Sequence, residues 1–303
     1  MVQLTKRQTD TVGAADLGRR WRRRSRVGDF VRALMRSIAG KLGAVLILLV
    51  VFVALAAPVI APYDPLAIDI PHRLEGPSAT HLFGTDETGR DVFSRVLFGS
   101  QISLRVGVIA VSIALGLGVT LGLIAGFYGG VTDLLVMRLI DIMQAFPGFL
   151  LALAIIAMLG PSLMNAMIAV GIGESPGFAR LVRGSVLAVK GQDYVMAARV
   201  VGAPNGHIMR RQVLPNALSP IVVLATLEFP VAILIAASLS FLGLGAQPPS
   251  PEWGAMLVEG RTFITTAPWL INFPGLAIFV TVLGFNLFGN AVRDALDPRL
   301  QKR

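Results

Sequence analysis

The 303-residue chain has no cysteine, only three histidines, and charged residues at just 15% of its positions. Without cysteine there are no disulfides, no thiolate catalysis and no cysteine-ligated metal. His72, His81 and His207 are scattered, with no HExxH arrangement or paired carboxylate beside them, so no metal site is expected. No Gly-x-x-x-x-Gly-Lys-Ser/Thr phosphate loop occurs, so the chain is not expected to bind ATP itself. Nor is there a Ser/His or two-aspartate constellation of the kind an intramembrane hydrolase needs. Average soluble domains carry roughly 25% charged residues, so the scarcity of charge disfavours a large soluble catalytic domain.

What takes the place of charge is apolar surface: 54% of residues are hydrophobic and the mean hydropathy is +0.70. Apolar runs at 42–61, 102–128, 138–159, 162–182, 217–242 and 268–289 predict six membrane-spanning helices and an all-α polytopic fold. The first run follows too long an arm for a signal peptide and is expected to be retained. Gly118, Gly122, Gly126 and Gly130 recur every fourth residue, clearing one helix face for close packing. Pro147-Gly148 should kink the third span. Glu228 is an acid well inside the fifth, which makes it a candidate for the translocation path or, alternatively, a partnered structural carboxylate.

The formal charge of +9 is unevenly placed. Eleven Lys and Arg residues, from Lys6 to Lys41, precede the first apolar run, against Asp10, Asp16 and Asp29. Aromatic residues other than Trp21 and Phe30 are missing from this arm, which disfavours nucleic acid as its partner. The segments 62–101 and 243–267 are poor in positive charge, whereas 180–215 and the C-terminal tail are rich in it. By the positive-inside rule both termini are expected in the cytoplasm. The chain thus divides into a basic arm (1–41), a first span with an external segment (42–101), a five-helix core (102–291) containing a cytoplasmic loop (183–216), and a tail (292–303).

The loop is long for a compact membrane protein and should carry structure of its own. One helix is expected up to Gly202 and Pro204, then a second short one through Ile208 and Met209 that Pro215 stops. A small ridge at Ala197, Ala198 and Gly202 would bring its backbone close to another polypeptide. Residues 196–202, MAARVVG, nine further residues, and then 212–215, QVLP, resemble the EAA loop of ABC importer permeases, with Met196 where the pattern has Glu and Gln212 where it has Ile. Residues 81–104, 238–261 and 273–299 are similar, in order, to the C-type permease subunit of dipeptide/oligopeptide importers, and the resemblance covers about residues 40–300.

That resemblance implies a type I ABC importer permease fold in a bacterial cytoplasmic (inner) membrane, a non-catalytic subunit that moves peptides by alternating access. It implies as partners a homologous second permease, two cytoplasmic ATPases that use the ATP and Mg, and an external solute-binding protein; the chain itself would bind no cofactor. The ATPase-coupling residues would be Asp193, Tyr194, Met196, Ala197, Ala198, Gly202, Leu214 and Pro215. GTD at 84–86 and GRD at 89–91 combine turn formers with helix caps and read as a loop entering a short helix whose face Val92, Phe93, Val96 and Leu97 could lie on the outer membrane surface. Asp86, Arg90, Asp91 and Trp253 are candidates for contact with the binding protein. Relatives of such importers carry nickel chelates, glutathione or opines, so the solute stays open. A secondary transporter or channel would explain six spans and Glu228 but not the loop pattern.

Overall fold

The computed structural model describes residues 34–296, so most of the basic arm and the last seven residues lie outside the described part. The described residues are almost wholly helical: α1 (Ile38–Ile60), α2 (Val92–Tyr128), α3 (Gly130–Gln144), α4 (Gly148–Leu159), α5 (Leu163–Lys190), α6 (Asp193–Val200), α7 (Asn205–Ile208), α8 (Leu214–Phe241), α9 (Trp253–Gly260) and α10 (Trp269–Leu296). A π-helical turn at Met209–Val213 joins α7 to α8.

Among the described residues, four helices are long and apolar enough to cross a membrane: α1, α2, the continuous 37-residue Asn205–Phe241 helix, and α10. The third predicted span is broken. Its two pieces, α3 and α4, meet at 91° around Pro147, whose ring and missing N–H end the helical ladder there. The fourth predicted span falls on α5, which carries Glu174, Arg180, Arg183 and Lys190 and is not among the apolar four. It is nonetheless central, because α2 packs along it. A Cβ at Gly118 would lie 2.7 Å from the Ser175 carbonyl oxygen, and one at Gly126 would lie 2.9 Å from Val186 Cβ. Three of the four spaced glycines therefore serve that contact. Gly130 does not: it has open space around it and starts α3.

α1 packs against α10 and α2. Inside α1, Pro58 leaves the Ala54 carbonyl without its helical donor, and the Gln101 amide of α2 supplies one at 2.7 Å. The expected short helix on the outer surface does not form separately. Residues from Val92 onward are the first turns of α2, and Val92, Val96 and Leu97 are buried inside the molecule.

Candidate functional site

Two features stand out: the loop between α5 and α8, and a pair of acids between the same two helices.

In the loop, α6 is held from below by Val195, fully buried with Ile208 and Val213 against Val182 and Val186 of α5, Ala217 of α8 and Phe127 of α2. Phe127 is also the platform for two cations. Arg199 lies 5.5 Å and Lys190 5.8 Å from its ring centroid. The Lys190 ammonium also donates to the Phe127 carbonyl at the C-terminal end of α2, where the helix dipole favours a cation. Lower on α5, Arg183 grips Asp133 of α3 with two hydrogen bonds of 2.5 and 2.6 Å, and Arg180 reaches Asp141 at 2.8 Å. α6 is therefore fastened to α2, α5 and α8, and α5 in turn to α3.

The end of α6 is a Schellman motif. Gly202 N–H donates to Arg199 O and Ala203 N–H to Ala198 O, both at 3.0 Å, with Gly202 at φ +78°. Gly202 has open space around it, so the residue is required by the left-handed backbone and not by a close approach. Ala198 is half-buried against the cluster beneath α6, while Asp193, Tyr194, Met196 and Ala197 are exposed. The small ridge expected at Ala197, Ala198 and Gly202 is therefore only partly on the outer face. The exposed apolar face is Tyr194, Met196, Val200 and Val201, the last two more than 80% exposed. Val200 and Val201 are not among the residues that the family loop pattern assigns to coupling; their exposure follows from how α6 sits on the cluster beneath it. Pro215, expected to stop a helix, instead lies within the continuous Asn205–Phe241 helix, directly after a π turn in which Leu214 N–H donates to Met209 O. Leu214 is half-buried in the cluster under α6 and Pro215 is exposed.

Glu228 is not alone in the membrane. Glu174 of α5, inside the predicted span 162–182, lies near enough for the two carboxyl groups to interact. The signal for Glu174 was the same as for Glu228, an acid in the middle of an apolar run. A Cβ on Gly148 would lie 3.1 Å from Glu174 Oε1, so the pair adjoins the break between α3 and α4. Glu174 lies sixteen residues before Lys190, roughly 24 Å along the helix from the loop.

The four candidates for external contact require correction. Asp86, Arg90, Asp91 and Trp253 are all buried, at 5% exposure or less. Asp91 caps α2 by accepting from Ser94 N–H at 2.8 Å and pairs with His81 at 3.0 Å. Asp86 accepts from Arg90 Nε at 2.6 Å, and Glu259 of α9 receives both Arg90 (3.1 Å) and Arg95 (2.7 Å). Burial raises the Glu259 carboxyl above the ordinary carboxylate range, and Arg95 and Arg90 draw it back down. Trp253 donates to Val96 O at 3.0 Å. Arg90, Arg95 and Trp253 tie residues 84–97 to α9 through partners some 160 residues away, which turn motifs alone did not reveal, whereas Asp86 and Asp91 are fastened locally.

The description "Binding-protein-dependent transport system inner membrane component" matches residues 118–302. The chain belongs to that family. Residues 25–77 of this permease match the "N-terminal TM domain of oligopeptide transport permease C". The permease is 51% identical over 259 residues to the dipeptide transport system permease protein DppC of Alkalihalophilus pseudofirmus, covering 86% of this chain and 85% of that one. It is 48% identical to a probable D,D-dipeptide transport system permease protein of Escherichia coli K12, over 84% and 86% of the two chains. It is 46% identical to the glutathione transport system permease protein of Pectobacterium atrosepticum, over 90% and 91%. An inward-facing structure of the MetNI methionine ABC transporter superposes with a TM-score of 0.54 at 20% identity, covering 67% of the permease and 97% of that chain. At that identity the likeness concerns the fold: an all-α type I ABC importer permease.

Proposed function

We propose that the permease is one of two membrane subunits of an ATP-driven importer of di- or oligopeptides, with α6 as the helix that two cytoplasmic ATPases push. The carrying observation is the exposed face Tyr194, Met196, Val200 and Val201 on a helix anchored to α2, α5 and α8. An apolar face held on a rigid base suits a partner that must transmit force, since a partner shifts an equilibrium only through contacts that differ between states. α5 and α8, which leave either end of the loop, also carry Glu174 and Glu228, so displacing α6 would displace both acids.

In this scheme both termini are cytoplasmic, a homologous second permease completes the path, and an external binding protein delivers the solute. The partner ATPases use the ATP and Mg, and this chain is non-catalytic. Peptide cargo is supported by the dipeptide relatives. Glutathione, itself a small peptide, is a second reading that the Pectobacterium relative favours.

The decisive experiment is uptake into proteoliposomes holding the full complex. Val200→Asp should abolish ATPase co-purification and ATP-driven peptide uptake while leaving membrane insertion intact. Normal ATP-coupled uptake by that variant would refute the coupling assignment, and uptake by the chain without ATPases would favour a secondary transporter. Competition of labelled dipeptide by glutathione on the binding protein separates the two cargoes.

A further inference from the structure

α1 and α10 run antiparallel and approach closely around Gly43 and Gly284. A Cβ on Gly43 would sit 2.8 Å from the Gly284 carbonyl oxygen, and one on Gly284 would sit 2.9 Å from Leu46 Cβ. Between α1, α2 and α10 lies a cleft of about 230 Å³, roofed by Phe83 and Trp253 and walled by Val53, Leu97 and Ala277 among others. Phe83 is fixed in place, stacked at 3.8 Å on Phe273 and edge-on to Phe93 at 4.8 Å.

The polar atoms of the lining side chains are already used. Ser100 donates to Leu97 O at 2.5 Å, and the Trp253 indole donates to Val96 O. The cleft therefore offers nothing to orient water or a polar ligand. Dry apolar cavities of roughly 150 Å³ take up hydrocarbon, and this one is larger.

The mouth says which hydrocarbon. It lies between Leu49 of α1 and Leu276 of α10, each about half exposed, and their exposed neighbours are Phe52 and Phe279. This is the outward apolar surface of two helices that qualify as membrane spans. The cleft thus continues inward from the outward apolar surface of two candidate membrane spans. Leu49 to Val53 lie seven to eleven residues from the end of α1, roughly 10–17 Å along the axis, within one leaflet of a bilayer core about 30 Å thick. The basic arm cannot fill the cleft, because it joins α1 at the opposite end and is highly charged.

We infer that this cleft is a binding site for one acyl chain of a bilayer phospholipid, from the leaflet that meets the 62–91 segment, and that the chain wedges α1 against α2 and α10. Recognition is of hydrocarbon only, so headgroup identity should not matter.

The test uses the full transporter complex in liposomes doped with a phospholipid bearing a photoactivatable diazirine at mid-chain, followed by peptide mapping of the adducts. Adducts are expected to concentrate on Leu49, Val53, Leu276 and Ala277, equally for phosphatidylethanolamine and phosphatidylglycerol carriers. Filling the cleft with Ala277→Phe, or independently with Val53→Trp, should lower labelling there about fivefold while labelling at Phe279 persists. Both variants should still assemble with their partners, which separates loss of the site from loss of the fold. The proposal is overturned by labelling spread evenly over exposed apolar faces and unchanged in both variants. It is also overturned by strong dependence on headgroup, or by cleft residues that label in the isolated chain but not in the complex, which would mean that another subunit covers them.

Discussion

Gly202 shows how one backbone angle can carry a function. At φ +78° an L side chain meets its own carbonyl, at a cost of about 1 kcal/mol or more. Asparagine tolerates that region better than alanine, so uptake by the assembled transporter should fall in the order Gly202, Gly202→Asn, Gly202→Ala. Equal uptake by the alanine variant would show that the left-handed turn is not what the position supplies. Glu174 and Glu228 obey a different logic. The two carboxyl groups interact, so Glu228→Gln keeps a polar neighbour for Glu174 whereas Glu228→Ala removes it, at a cost of about 1–3 kcal/mol. Thermal melting of the purified complex should therefore separate the two variants, with Gln near wild type and Ala lower. A Gln variant as unstable as Ala would mean that a polar group at position 228 is not what stabilises Glu174.

At the scale of elements, the clasp between the start of α2 and α9 depends on charges taken out of water. Arg95 is 1% exposed and its partner Glu259 is shielded as well. Removing one member of a buried pair costs about 3–5 kcal/mol, whereas replacing both by apolar groups of similar size is often neutral. Arg95→Met should accordingly lower the melting temperature sharply, and Arg95→Met combined with Glu259→Leu should recover part of the loss. No recovery in the double variant would place the stabilising role on Arg95's other contacts, with Pro249 O and Asp86. The helices themselves were legible where apolar runs are long: α1 and α10 fall where hydropathy puts them. Their ends were less so. α2 starts ten residues before the predicted span because Asp91 caps it, and α5 runs eight residues beyond its predicted span to Lys190. Caps and tertiary contacts extend a helix past the point where apolar composition ends.

For the whole molecule, orientation is the property most open to direct measurement, and the absence of cysteine makes that measurement clean. Single cysteines at Val200 and Leu82, both exposed, should be labelled by a membrane-impermeant maleimide from opposite sides, Val200→Cys from the cytoplasm and Leu82→Cys from outside. Labelling of both from one side would overturn the six-span topology expected from the sequence, which needs α5 to count as a span despite its charges.

The sequence by itself determined that this chain lives in a membrane, that it is helical, and that it carries a loop of the importer type. These follow from composition and from short-range patterns, which a linear reading captures. Only the tertiary structure decided that Asp86, Arg90, Asp91 and Trp253 are buried fasteners, that Glu174 lies near Glu228, that Val200 and Val201 face outward, and that α1, α2 and α10 leave an apolar cleft between them. Most of these are contacts, or the lack of one, between residues far apart in the chain. Burial and pairing at such distances are set by how the helices pack, and no local pattern encodes them.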